Sequence, residues 1–346
     1  MSRGLDNFPN RHNSLNAIRL GLATAVIVSH SWPIGGYGDD PQLGQLTLGR
    51  LAVAGFFAIS GWLITQSRES TPLPSYLWRR FLRIYPGFLA SLIVVAFVFA
   101  PVGSALDAGS WAFSDGVAFV GKNLAVHMSQ FNVGATPSGV PYPGNWNSSL
   151  WTLFYEVLCY LLIGLCITAV PGRWLATVVV TLWLGATALQ VGTNLGGTVA
   201  VFLELAPYFL AGATLYVLRQ WIPLHWSLGL VSAVITTIMI AVGAAPALAA
   251  LPLAYLMLWL GAALPLHLVG RRNDISYGMY VYAFPVQQLL VLAGAGAWSV
   301  GWFVLASTAC TVPLAVASWF LIERPAQRYR RAADNLWAAR RITSSR

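Results

Sequence analysis

Ten apolar runs, each near the thickness of a bilayer, constrain this chain more than any other feature. A helix needs roughly 20 mostly apolar residues to cross the hydrocarbon core. Such stretches fall near 15–32, 48–67, 82–101, 149–170, 174–191, 199–218, 226–243, 246–265, 275–295 and 298–322. Turn-forming sequence separates them, as in "PGRW" after 170, "RQWIPLH" after 218 and "GRRND" after 269. Only 9% of the 346 residues are charged and 57% are hydrophobic, whereas a soluble domain carries about a quarter charged residues. The sequence therefore predicts an all-α membrane protein of about ten transmembrane helices.

The net charge is +9 and rests on arginine, with Lys122 the single lysine. The basic residues sit between the apolar runs, so membrane orientation accounts for them and nucleic-acid binding is not expected. With the N-terminus cytoplasmic, the inner segments hold Arg3, Arg11, Arg68, Arg79, Arg80, Arg83, Arg173, Arg219, Arg271 and Arg272, together with the tail from Arg324. The outer segments hold only Lys122 and Arg50. Excess positive charge inside requires both termini cytoplasmic and an even number of spans. The expected organisation is a membrane domain over 1–325 and a basic cytoplasmic tail over 326–346. Cys159, Cys166 and Cys310 lie within apolar runs as packing residues, and no metal-ligand spacing is present. No cleavable signal peptide is expected, because Arg19 interrupts the first apolar run.

Polar intrusions in the apolar runs are the candidate functional residues. Arg19 and His30 are eleven residues apart in "AIRLGLATAVIVSH", a spacing that returns to one helix face about 16 Å further along. Arg19 reads either as a residue snorkelling to the interface or as one end of a pathway; His30 reads as a packing residue or as a site. In "WRRFLRIYPG", Arg80 and Arg83 share a face. They are either an inner-surface anchor or a fork for phosphate oxygens. Glu156 lies about seven residues inside the fourth run, at the depth of His30, where it is either a structural buried carboxylate or the partner of a histidine base. The long outer connection, about 102–148, carries Trp111, Tyr142, Trp146 and Asn147. These residues suit stacking on a sugar, or equally an interfacial aromatic belt.

Several pieces together resemble the acyltransferase-3 family of multi-span membrane acyltransferases: "AIRLGLATAVIVSH", "FFAISGWLIT", "RRFLRIYP", "NSSLWTLFYEVLCYLL", "LAPYFLAGATLY", "ISYGMYVYAFPV" and "ERPAQR". They occur in family order over roughly residues 14–330. The resemblance implies a ten-helix domain that takes an acyl group, commonly acetyl, from a coenzyme A thioester at the cytoplasmic side. The group is delivered to a hydroxyl of a sugar or other cell-surface molecule. It further implies that His30 is the essential histidine, with Arg19 its companion in the first span. Arg80 and Arg83 would serve the donor, and Trp151 and Glu156 would form the fourth-span motif. Beside these, Asn147 and Tyr277 are further candidate substrate-binding residues. Acyl-CoA is then a donor substrate and no cofactor is bound; the expected setting is a bacterial inner membrane. This sequence departs from the family pattern at Ala54, where relatives often carry an acidic residue, and at Ala283, where they often carry histidine.

On this reading His30 accepts the proton of the attacking hydroxyl, and Glu156 orients or stabilises the ring. Two other readings fit intramembrane Arg, His and Glu: a proton-coupled transporter or flippase, and an inactive assembly subunit, which the changes at Ala54 and Ala283 would permit.

Overall fold

The computed structural model describes residues 3–9, 12–107 and 109–330. Arg11 and most of the expected basic tail, from 331 onward, lie outside the described residues. The helices are α1 (Leu15–Gly35), α2 (Leu48–Glu69), α3 (Leu73–Val94), α4 (Ala100–Leu106), α5 (Phe113–Asn123), α6 (Trp151–Ala169), α7 (Gly172–Gly192), α8 (Gly197–Val217), α9 (Trp226–Ala241), α10 (Ala245–Leu248), α11 (Ala250–Ala263), α12 (Ser276–Leu292) and α13 (Val300–Ser318). A π-helical turn at Val95–Phe99 joins α3 to α4, and another at Trp319–Glu323 extends α13.

Every expected apolar interval carries a helix, and among the described residues seven helices are long and apolar enough to cross a membrane. They are Leu15–Gly35, Leu48–Glu69, Leu73–Leu106, Ser148–Ala169, Gly172–Gly192, Gly197–Val217 and Val300–Arg330. The shortfall has local causes. Gly243 takes a left-handed φ of +74° just beyond α9, and a non-helical joint at Ala249 splits α10 from α11. The ladder of α12 ends at Gly294, whose φ is +90°. The third interval errs the other way, because its helix begins at Leu73 rather than near 82. Its first turns, "LPSYLWRRFLR", are amphipathic, so an average over apolar content passes them by although they are good helix formers.

The chain organises into two compact units. The first comprises residues 1–22, 42–76 and 155–272, and its axis is the crossing of α2 with α8. Gly61 faces the backbone of Phe209, and Gly212 faces that of Ala58; a Cβ on either would fall 1.9 Å and 2.1 Å from the facing carbonyl oxygens. Lipid is as apolar as leucine, so helices in a membrane gain by close backbone approach at small residues. Arg68, buried at the end of α2, donates to Gly164 O (3.3 Å), Thr71 O (2.6 Å) and Thr168 Oγ1 (2.7 Å). Helix α7 is the opposite case: Val179 is its one buried residue, while Trp174, Leu184, Leu189 and Val191 are about half exposed or more. A face that apolar would not be stable in water.

The second unit comprises the described residues within 23–41, 77–154 and 273–346. Here α12 is the axis. Gly278 packs on Ala315 of α13, where a Cβ would lie 2.7 Å from the Ala315 Cα. Gln287 ties α12 to α1, its Nε2 donating to Ile27 O (2.9 Å) and Ser31 Oγ (2.8 Å). Ile34, Phe284, Ala295 and Phe303 form an apolar cluster around this join.

Candidate active site

His30 lies near the end of α1, and the chain turns back towards it immediately afterwards. Gly36 and Gly38 adopt φ of +79° and +119°, conformations that glycine reaches without steric cost. Tyr37 between them is held by its backbone N–H on Trp32 O (2.9 Å) and by its ring, edge-on to Phe303. Burial raises the Tyr37 hydroxyl above the ordinary tyrosine range. The reversal carries Asp40 back to the last turns of the helix. Asp40 Oδ1 accepts the Ser29 hydroxyl at 2.9 Å and stands 3.7 Å from His30 Nδ1. The His30 side chain retains 25% exposure and Asp40 28%, so both remain open to the surroundings. Phe284 of α12 closes one side of the imidazole, with ring centroids 5.5 Å apart at 69°.

The long connection before α6 is ordered around a buried Trp146. Its Nε1 donates to Thr136 Oγ1 at 3.0 Å, and its ring lies against Gly103. Trp111 donates to Ala96 O (3.0 Å). Tyr142 places its ring edge-on to Phe284, the same residue that flanks His30. Gln288 Nε2 holds the Tyr142 and Asn145 carbonyls at 2.7 and 2.8 Å, and Asn147 Nδ2 donates to Val281 O at 2.7 Å. The amide oxygens of Asn145, Asn147, Gln287 and Gln288 are buried with no hydrogen-bond partner among the described residues. Trp146 and Asn147 are thus braces of this connection, while Tyr142 reaches the surroundings of His30.

At the other end of α12 lies the basic group. Arg83 Nη2 donates to Asp274 Oδ2 at 2.7 Å, in a pair that is largely buried. The other oxygen of Asp274 accepts Ser276 N–H (3.2 Å) and its hydroxyl (2.6 Å), opening α12. Tyr277 donates to Ile84 O at 2.8 Å, and its ring occupies the space beside Gly87. It therefore braces α3 from beneath the arginines. Arg330 lies close enough to Arg80, Arg83 and Arg79 for each of their charges to act on it. Arg79, Arg80 and Arg83 lie within α3, roughly two to three turns from its start at Leu73.

Glu156 belongs to the first unit. It accepts the Ser60 hydroxyl at 3.1 Å and, through the same oxygen, the hydroxyl of Tyr160. Arg19 lies on the unbroken helix α1 with His30, and Trp151 opens α6. Sequence reasoning missed Asp40, Asp274 and Arg330. Asp40 sits in "GYGDDPQ", a turn signal that marks a reversal without saying which carboxylate comes back. Asp274, in the "RRNDIS" turn, had a visible signal as the cap of a helix start.

These features define a class: a multi-pass helical membrane protein with titratable side chains set among its helices. The family model described as an acyltransferase domain matches residues 12–320. The chain belongs to the acyltransferase-3 family and is an acyltransferase that moves groups other than aminoacyl groups. Among curated proteins it is 27% identical over 334 residues to an O-acetyl transferase of Shigella phage Sf6, covering 91% of this chain and 96% of the relative. It is 29% identical over 362 residues to Nodulation protein 10 of Rhizobium leguminosarum bv. viciae, covering 92% and 94% respectively. No solved structure matches.

Proposed function

We propose that this chain transfers an acyl group, acetyl in the first instance, from coenzyme A to a hydroxyl of a cell-surface carbohydrate. It does so across a bacterial inner membrane, with ten spans and both termini cytoplasmic. The observation that carries the reading is that one helix, α12, is in contact both with the arginine group and with His30. Asp274 and Tyr277 at its start brace Arg83 and α3, and Phe284 lies against His30. Tyr277 and Phe284 are seven residues apart, about 10 Å along a helix axis. A phosphorylated donor gripped by Arg80, Arg83 and Arg330 would have its thioester end carried along α12 towards the imidazole. Guanidinium groups suit the phosphates by planar, charge-assisted bonding. His30 takes the proton of the attacking hydroxyl as the C–S bond of the thioester gives way to a C–O bond; the thiolate leaves and is protonated. Tyr142 and the connection around it stand on the acceptor's side of His30. Arg19, Trp151 and Glu156 remain assigned to the site by family resemblance.

The test uses membrane vesicles from cells expressing the full chain, which carry native lipids and glycans, and labelled acetyl-CoA. Wild-type vesicles release coenzyme A thiol and fix label in glycan, and His30→Ala vesicles with equal protein do neither. Equal rates from both would refute His30 as the base. Substrate movement without thioester consumption would favour the carrier reading instead.

A further inference from the structure

We infer that Asp40 is a positioning residue that holds the His30 ring for proton transfer, a step that rests on the reading of His30 as the base. Three observations converge on it. A carboxylate 3.7 Å from Nδ1 favours the proton on that nitrogen, which leaves the Nε2 lone pair free to receive a hydroxyl proton. Ser29, in the same turn of α1, donates to the very oxygen that faces the imidazole, so the carboxylate is anchored rather than swinging from a loop. The loop is itself shaped for this return, with Gly36 and Gly38 supplying the left-handed turns and Tyr37 pinning the bend between Trp32 and Phe303. Asp39, one residue earlier, is exposed, so the reversal selects one of two adjacent carboxylates. Phe284 blocks one side of the imidazole, and the pair Asp40–Ser29 fixes its Nδ1 edge. Once the hydroxyl proton has moved to Nε2, the adjacent carboxylate stabilises the imidazolium until that proton passes to the departing thiolate. The carboxylate itself stays ionised throughout. Glu156, engaged by Ser60 and Tyr160, is then not needed for this task.

A buried aspartate in a hydrolase triad is worth about 10⁴-fold in rate when its charge is removed. Here the partners are a quarter exposed and separated by more than a hydrogen bond, and such contacts tighten when substrate is present. Asp40→Asn is therefore expected to lower kcat about 10–100-fold, with KM for acetyl-CoA within twofold of wild type. Asp40→Glu recovers most of the rate, and Asp39→Asn, with the same charge change one residue away, leaves it unchanged. His30→Ala with Asp40→Asn is no slower than His30→Ala alone, since a residue acting through another adds nothing once that residue is gone. All are measured as thiol release from acetyl-CoA in the vesicles described above, normalised to membrane-inserted protein. An Asp40→Asn rate within twofold of wild type, alongside an inactive His30→Ala, overturns the role of Asp40 and leaves His30 standing. An active His30→Ala overturns both. If Asp40→Asn fails to insert, Ser29→Ala carries the test: it frees the anchor but keeps the carboxylate. There a three- to tenfold loss of kcat at constant KM supports the assignment, and an unchanged kcat overturns it.

Discussion

Replacing Gly61 by alanine adds one methyl group at the closest approach of α2 and α8. The new Cβ would sit 1.9 Å from Phe209 O and 2.8 Å from Phe209 C. Ordinary contact begins near 3.4 Å, so the helices must separate locally by about 1.5 Å, and the obstacle is backbone that cannot rotate aside. Each pair of touching heavy atoms is worth about 0.1–0.2 kcal/mol, and a gap of 0.5–1 Å already forfeits a quarter to a half of it. With some thirty pairs opened at the crossing, the loss is about 2 kcal/mol, within the usual cost of about 1–3 kcal/mol for overpacking. The gain from alanine over glycine in a helix, about 1 kcal/mol at most, offsets part of this. The net expectation is destabilisation by about 1–2 kcal/mol. Gly185→Ala is the control, because Gly185 is exposed on α7 and a Cβ there meets nothing within 4 Å. Thermal unfolding in detergent should place Gly61→Ala several degrees below wild type and Gly185→Ala at or above it. Gly61→Ala combined with Gly212→Ala should cost less than the sum, because one separation relieves both clashes. A melting curve for Gly61→Ala that overlays that of Gly185→Ala would show that the crossing is looser than the geometry states.

Arg68→Met removes a guanidinium that satisfies two carbonyls and a hydroxyl inside the first unit; unsatisfied buried acceptors cost about 1–3 kcal/mol, read as a lower midpoint in denaturant titration with acetyl-CoA affinity unchanged. Arg80→Gln should raise KM for acetyl-CoA by about an order of magnitude while kcat changes less, since charge-assisted bonds to phosphate act on ground and transition states alike; equal KM values would remove the donor from this cluster. Gln288→Ala frees the carbonyls of Tyr142 and Asn145, and limited proteolysis should then cut within 141–147 faster than in wild type while α12 stays protected.

How much of this was legible in the sequence differs between fold and site. Helices fall in every expected interval because apolar content over 20 residues reports the solvent directly. Their lengths were less readable: the break at Ala249 and the early start of α3 depend on single joints and on amphipathic turns that averaging hides. At the site, His30, Arg80 and Arg83 stood out as polar intrusions in oil. Their neighbours did not. Asp40 comes back through a glycine-rich turn, Arg330 arrives from almost 250 residues away, and Asp274 doubles as a helix cap. Each of these pairings needs the tertiary path of the chain, which spacing along one helix cannot supply. Trp146 illustrates the reverse: its residue type suits sugar stacking, yet burial makes it a pillar of the connection before α6.

Helix α7, with Val179 alone tucked away, has a consequence for how this chain can vary. Its exposed side carries Trp174, Leu184, Leu189 and Val191, so the composition of that side answers to membrane thickness and fluidity. One aliphatic residue there can replace another with little effect on its neighbours. A bulky reporter group, nitroxide or fluorophore, attached at Leu184 or Leu189 would sample the acyl chains directly while leaving the reaction centre undisturbed.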